Sequence, residues 1–210
     1  MAMTSEQFSN LDHAYDYFNR ELFDGKLPDC MITFQRKRGA AGYFAPERYK
    51  HRDGDKHAAE IALNPDTFEG CSDLEILSTL VHEQVHAWQE RFGKPSRNGY
   101  HNREWAAKML SLGLMPSDTG SEGGKMTGQR CSHYILDGQR FDLVARNLIE
   151  SGFAVRWFSN RTPSKSAKDK YKYHCWSCGN NAWAKAGVNL VCGDCSELMP
   201  LAPEQFKVTD

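Results

Sequence analysis

Nowhere in the chain do eighteen apolar residues run together, and the opening MAMTSEQFSN has no basic stretch followed by an apolar one. Neither a membrane-spanning helix nor a secretory leader is therefore expected, and the protein reads as intracellular, in the cytoplasm, nucleoid or nucleus. Net charge is also missing: 26 basic against 27 acidic residues leave −1, with no whole-chain signature of nucleic-acid or membrane binding. Any such partner must be met by a local patch. Seven cysteines are an odd number, ill suited to a disulfide framework. Four of them fall into two Cys-x-x-Cys pairs, which points to metal ligation in a reducing compartment. Cys30, Cys71 and Cys131 are left over and are expected as buried thiols. There is no internal repeat. The 210 residues allow one domain of ordinary size with a small appendage, or two small domains.

Along the chain, Phe8, Leu11, Tyr15, Phe18 and Leu22 recur at helical spacing over residues 5–23, and Asp24-Gly25 supplies a stop. MITFQRK (31–37), GYFAPERY (42–49) and AEIALNP (59–65) read as short strands separated by turn residues. Ser72-x-x-Glu75 resembles a capping box, and Leu74, Leu77, Val81 and Val85 give the helix it opens one apolar face, ending near Phe92-Gly93. A second helical run covers about 102–112. The Gly/Ser/Thr-rich SDTGSEGGKMTG (117–128) is too long for a simple connector and reads as a mobile or substrate-facing loop. CSHYIL, GQRFDLVARNLIESG and FAVRWF then read as strand, helix and strand. The expected organisation is a domain over 1–160, a basic linker over 161–172 and a small module over 173–210.

Within the capped helix lies VHEQVHAW (81–88). Positions i and i+4 share a helix face, about 5–6 Å apart at Cβ, so His82 and His86 can aim at one ion. Glu83, one step round, suits a base acting on a water in the fourth coordination position. Chance placement on an ordinary helix is the bland alternative, but both histidines flank the apolar stripe and each would need a buried partner. A third ligand is required, and GYHNREWAAKML offers His101, with Glu104 as competitor and His133 as a more distant candidate. His13, His51, His57 and His174 are expected to have no ligand role.

GYFAP (42–46), IALNP (61–65), LSTLVHEQVHAWQ (77–89), GYHNREWAAKM (99–109) and GGKMTGQ (123–129) together resemble the SprT-like family, which includes the Spartan DNA-protein crosslink proteases. The resemblance covers most of residues 8–160. It implies an α+β, zincin-like metalloprotease domain: an N-terminal helix, a small three-stranded sheet, the His-Glu-x-x-His helix and a second ligand helix. It also implies that His82, His86 and His101 bind a catalytic zinc and that Glu83 is the base for metal-assisted peptide hydrolysis. A polypeptide substrate is expected to add a strand beside GYFAPERY, with Tyr43 and Phe44 either walling the cleft or packing in the core. Tyr100 and Tyr134 are undifferentiated candidates for stabilising an oxyanion.

HCWSCGNNAWAKAGVNLVCGDCSEL holds Cys175-x-x-Cys178 and, thirteen residues on, Cys192-x-x-Cys195. Two knuckles joined by a hairpin-sized insert make a structural four-cysteine zinc ribbon with no open position, the second of two zinc ions expected per chain. Arg161, Lys165, Lys168, Lys170, Lys172 and Lys185 alternate with Tyr171, Tyr173, Trp176 and Trp183 against one acid, Asp169. Basic side chains neutralise phosphates and exposed rings stack bases, which suits single-stranded or distorted nucleic acid. A solvated linker, with tryptophans packed inside the ribbon, accounts for the same composition; the family resemblance favours DNA. Two functions follow: a zinc endopeptidase acting on DNA-bound or DNA-crosslinked proteins, or a non-catalytic nucleic-acid-binding or transcription-associated protein with structural zinc sites. An enzyme of this fold acting on another substrate is a third.

Overall fold

A computed structural model describes residues 2–97, 99–160 and 170–202. The chain divides into two compact units, Met1–Arg161 and Thr162–Asp210.

The first unit begins with α1 (Met3–Phe23), whose Leu11, Tyr15, Phe18 and Leu22 are buried on one face. Asp24, at φ 57°, and Gly25, at φ 68°, turn the chain out of it through left-handed backbone. Three strands follow, β1 (Cys30–Phe34), β2 (Gly42–Lys50) and β3 (His57–Leu63). They form one sheet in the order β1-β3-β2, with β1 parallel and β2 antiparallel to β3. Strand β2 therefore lies at an edge. The capping box is present at the start of α2 (Asp73–Phe92): Ser72 Oγ accepts from the Glu75 N–H, and the Glu75 carboxylate accepts from the Ser72 N–H at 2.7 Å. Leu77, Val81 and Val85 are fully buried among residues of α1, β1, β3, α3 (Arg103–Ser111) and α4 (Arg140–Glu150), which form one continuous core.

The middle of β3 carries a buried acid, Glu60, that the core does not explain. Its carboxylate accepts from Thr33 Oγ1 at 2.7 Å, Tyr49 Oη at 2.7 Å and Tyr43 Oη at 3.0 Å, with Arg48 Nε 3.7 Å away. Burial alone would push this carboxyl up. The hydrogen bonds from Thr33, Tyr49 and Tyr43, and the Arg48 guanidinium, together hold it below the ordinary glutamate value of 4.5. A depressed acid contributes stability above its unfolded pKa, lost as pH falls through the folded one. Urea unfolding of Glu60→Gln is thus expected to show a loss of about 1–3 kcal/mol near neutrality, where three hydroxyls lose an ionised acceptor. Its acid limb should also be flatter than that of the wild type. Equal acid limbs would contradict this account.

Several expectations are corrected here. FAVRWF (153–158) is not a strand: Phe153 packs in the core, and the Val155 N–H donates to Asp73 Oδ1 at 2.9 Å instead of to a neighbouring strand. A strand absent from the sequence reading, β4 (Leu114–Ser117), pairs antiparallel with β5 (Ser132–Ile135). The segment between them is hydrogen-bonded within itself, with Asp118 N–H donating to the Lys125 carbonyl and Lys125 N–H to Asp118 Oδ1, both at 2.9 Å. Cys30 and Cys131 are half-buried, and Cys71 is exposed, its thiol on the Thr67 carbonyl at 3.1 Å. Among the described residues no helix is long and apolar enough to cross a membrane.

The second unit contains two hairpins, β6 (Tyr171–His174) with β7 (Asn181–Ala184) and β8 (Leu190–Val191) with β9 (Leu198–Met199). Among the described residues its core is Tyr173, Cys175, Cys192 and Met199 with a few half-buried neighbours. So small an apolar cluster cannot by itself offset the chain entropy lost on folding.

Candidate functional site

His82 and His86 leave α2 one turn apart, with ring centroids separated by 5.3 Å. His101 stands immediately before α3, where its backbone pairs with Gly128 in both directions: His101 N–H to Gly128 O at 2.9 Å and Gly128 N–H to His101 O at 3.1 Å. The loop between β4 and β5 thus positions it. His101 Nδ1 also lies 3.2 Å from the Gly128 carbonyl oxygen. A carbonyl only accepts, so Nδ1 carries the proton and Nε2 is left with a lone pair. Trp105, fully buried, floors the group, with its ring centroid 4.4 Å from that of His101, 4.8 Å from that of His82 and 5.2 Å from that of His86.

The ligand nitrogens of His82, His86 and His101 lie within 4.8 Å of one another, and His82 Nε2 is 3.3 Å from His101 Nε2. Corners of a tetrahedral site with bonds of roughly 2.0–2.1 Å are about 3.3 Å apart. The separation of these two nitrogens matches two corners of such a site, and a third imidazole converges on the same point, so the donor set fits a zinc ion. Burial holds all three imidazoles neutral, as ligands must be: that of His86 falls to about 3, and those of His82 and His101 also lie below the ordinary value. For His82 the neighbouring histidines add to the effect of burial, whereas for His101 the Gly128 carbonyl opposes it. Glu104, the competitor for third ligand, is turned elsewhere. Its Oε2 accepts from Gln89 Nε2 and from the Lys94 N–H, each at 2.7 Å, at the carboxyl end of α2.

Glu83 is 4% exposed. Burial pushes its carboxyl up to about 8, against the opposing pull of Lys37 and of the Phe44 N–H that it accepts. The approach of β2 to α2 depends on Gly42: a Cβ there would meet the Ala62 carbonyl oxygen at 2.9 Å and Glu83 Oε1 at 3.0 Å. A cleft of about 1220 Å³ opens over these groups, lined among others by Tyr43, Phe44, Lys37, Tyr100 and Arg130. Phe44 both lines the cleft and packs on the core, and Tyr43 lines it while its hydroxyl serves Glu60. Tyr134 lines a separate cavity, of about 440 Å³.

His133 is the residue that sequence reasoning placed least well. It joins no ligand cluster, yet its Nδ1 lies 3.1 Å from His82 Nδ1 and its Nε2 lies 2.8 Å from Ser78 Oγ. No spacing signal could have found this contact, because β5 delivers the ring from 51 residues away.

In the second unit the sulfurs of Cys175, Cys178, Cys192 and Cys195 also lie within 4.8 Å of one another. Each pair is closed by the same turn, with Gly179 N–H on the Cys175 carbonyl at 2.9 Å and Ser196 N–H on the Cys192 carbonyl at 2.8 Å. Gly179, at φ 78°, and Ser196, at φ 56°, are both left-handed. The backbone N–H groups of Cys195 and Asp194 pull the Cys192 thiol down to about 7, while the hydrogen bond with Cys178 pushes the Cys195 thiol up. Four thiolates in a closed shell also fit zinc. Among the basic and aromatic residues, Lys170 and Lys185 are exposed and Lys172 is half-buried, while Arg161, Lys165 and Lys168 lie outside the described residues. Trp176 and Trp183 are 64% and 61% exposed, so neither packs the ribbon's core. Tyr173 does, its hydroxyl on the Lys185 carbonyl at 2.9 Å.

An uncharacterized protein encoded in the mucB 3' region of Salmonella typhimurium is 40% identical over 58 residues, which are 28% of this chain and 78% of that protein. The SprT-like family model matches residues 11–122, a span reaching from α1 through the three histidines into the loop after β4. Since that span is more than half of the sequence, the chain belongs to the SprT-like family.

Proposed function

We propose that the protein is a zinc-dependent endopeptidase of zincin-like fold that acts on polypeptides bound or crosslinked to DNA. The observation that carries the proposal is the convergence of three neutral imidazoles beside a buried carboxyl, under a cleft bordered by the edge strand β2. His82, His86 and His101 would hold the ion, which when bound supplies Lewis acidity to a water and to the scissile carbonyl. Glu83 takes the proton from the attacking water and passes it to the leaving amine. Burial disfavours its charged form, and a dication held by the neighbouring imidazoles would oppose that effect. Strand β2, whose only strand partner among the described residues is β3, presents its other edge to an extended substrate, beside the Phe44 N–H that donates to Glu83. A purely structural histidine site would bury Glu83 at a cost and give it no task. The decisive experiment incubates the full chain with a DNA-bound test protein, with and without single-stranded DNA, and compares wild type with Glu83→Gln.

The exposed tryptophans support DNA recruitment by the ribbon, since large rings left in water suit stacking on unpaired bases. Replacing Trp176 and Trp183 with Ala in the full chain is expected to weaken single-stranded DNA binding by about 1–3 kcal/mol per stacked base. Wild-type affinity should fall with salt at a log–log slope of about −0.7 per phosphate contact. Unchanged affinity in the double variant would move the binding surface to the first unit, at Arg36-Lys37-Arg38 or near Lys125.

A further inference from the structure

Behind His82 runs a chain of hydrogen bonds whose direction is fixed at its far end. Ser78 Oγ lies 2.8 Å from the Glu75 carbonyl oxygen, one turn back on α2. Two oxygens that close, one of them a pure acceptor, require the serine proton between them. Ser78 Oγ therefore meets His133 as an acceptor, and at 2.8 Å the proton between them belongs to His133 Nε2. A neutral imidazole holds one proton only, which leaves a lone pair on His133 Nδ1. That atom is 3.1 Å from His82 Nδ1, which must then donate. His82 is held with its proton on Nδ1 and its lone pair on Nε2, the nitrogen facing His101.

We propose that His133 is a positioning residue which, relayed through Ser78 to the Glu75 carbonyl, fixes the tautomer and ring orientation of His82 for metal binding. This rests on reading His82, His86 and His101 as zinc ligands. Partners that orient a ligating imidazole typically contribute about 10–100-fold in metal affinity. His101 has the Gly128 carbonyl for the same purpose. The His82 device differs in that its acceptor is itself a side chain, set by the first turns of the helix carrying two of the ligands.

Two readouts test it on the full chain. Long-range nitrogen–proton NMR of the metal-free protein should show His82 protonated at Nδ1 in the wild type, and should show that preference lost in His133→Phe. Zinc competition against a chromophoric chelator should show the histidine-site affinity lowered roughly 10–100-fold in His133→Phe and by a smaller factor in Ser78→Ala. His133→Gln, whose amide oxygen can accept from His82 Nδ1, should recover part of the loss, and the cysteine site should be unchanged in all three. Finding His82 protonated at Nε2 in the wild type, or wild-type zinc affinity in His133→Phe, overturns the proposal. A wild type holding zinc at the cysteines alone overturns the ligand reading and the role with it; the NMR result then shows separately whether the relay geometry was right.

Discussion

Glu83→Gln is expected to leave fold and metal content intact while lowering peptide hydrolysis by about 10²–10⁴-fold, the usual loss when a general base is removed. The substitution is close to isosteric, so the β2–α2 contact at Gly42 is not overpacked, and a glutamine oxygen can still accept the Phe44 N–H. Removing an ionisable group from a buried position takes away a cost of folding. Thermal stability should therefore hold or rise while activity collapses, a combination that misfolding cannot mimic. Metal analysis and a melting curve on the same preparation as the rate assay provide the check. A Gln variant that cleaves at the wild-type rate would remove Glu83 from the chemistry.

The second large effect is expected at Cys175→Ser. Cys175 is buried in the small core of the second unit, where a structural zinc site can supply on the order of 10–16 kcal/mol of folding free energy. Losing one thiolate should unfold that unit and lower bound zinc from two ions per chain to one. Among the described residues, the main core is drawn from α1 to Val155 and contains none of the second unit. Helical circular dichroism and the histidine-bound metal should accordingly survive. Mild chelation of the wild type should act in the opposite order, taking first the ion with an exchangeable position. One zinc per intact, folded wild-type chain would refute the two-site account.

What the sequence made legible was local and periodic. The α2 cap, the stripe of Leu77, Val81 and Val85 and the four-residue histidine step all follow from helix geometry, and the structure retains them. The knuckles are equally local, two short turns of one design. Contacts made only after the chain has folded back were not legible. Glu60 gathers three hydroxyls from two neighbouring strands, β4 is a strand only because β5 returns to it, and His133 reaches His82 across the fold. FAVRWF misled because its alternating apolar residues fit a strand, whereas the Val155 N–H is taken by a helix-start carboxylate. For the third ligand, composition left His101 and Glu104 open, and the second is spent holding the end of α2.

The two-way pairing of His101 with Gly128 also has a meaning in time. Two of the three imidazoles ride on a helix sealed at its start by a capping box, and such an element opens rarely. The other is fastened to the loop between β4 and β5 by a pair of backbone hydrogen bonds, with its ring against the buried Trp105. An ion held by the three imidazoles would therefore be gripped on one side by a helix and on the other by a loop, and its release would call for the loop's clasp on His101 to part.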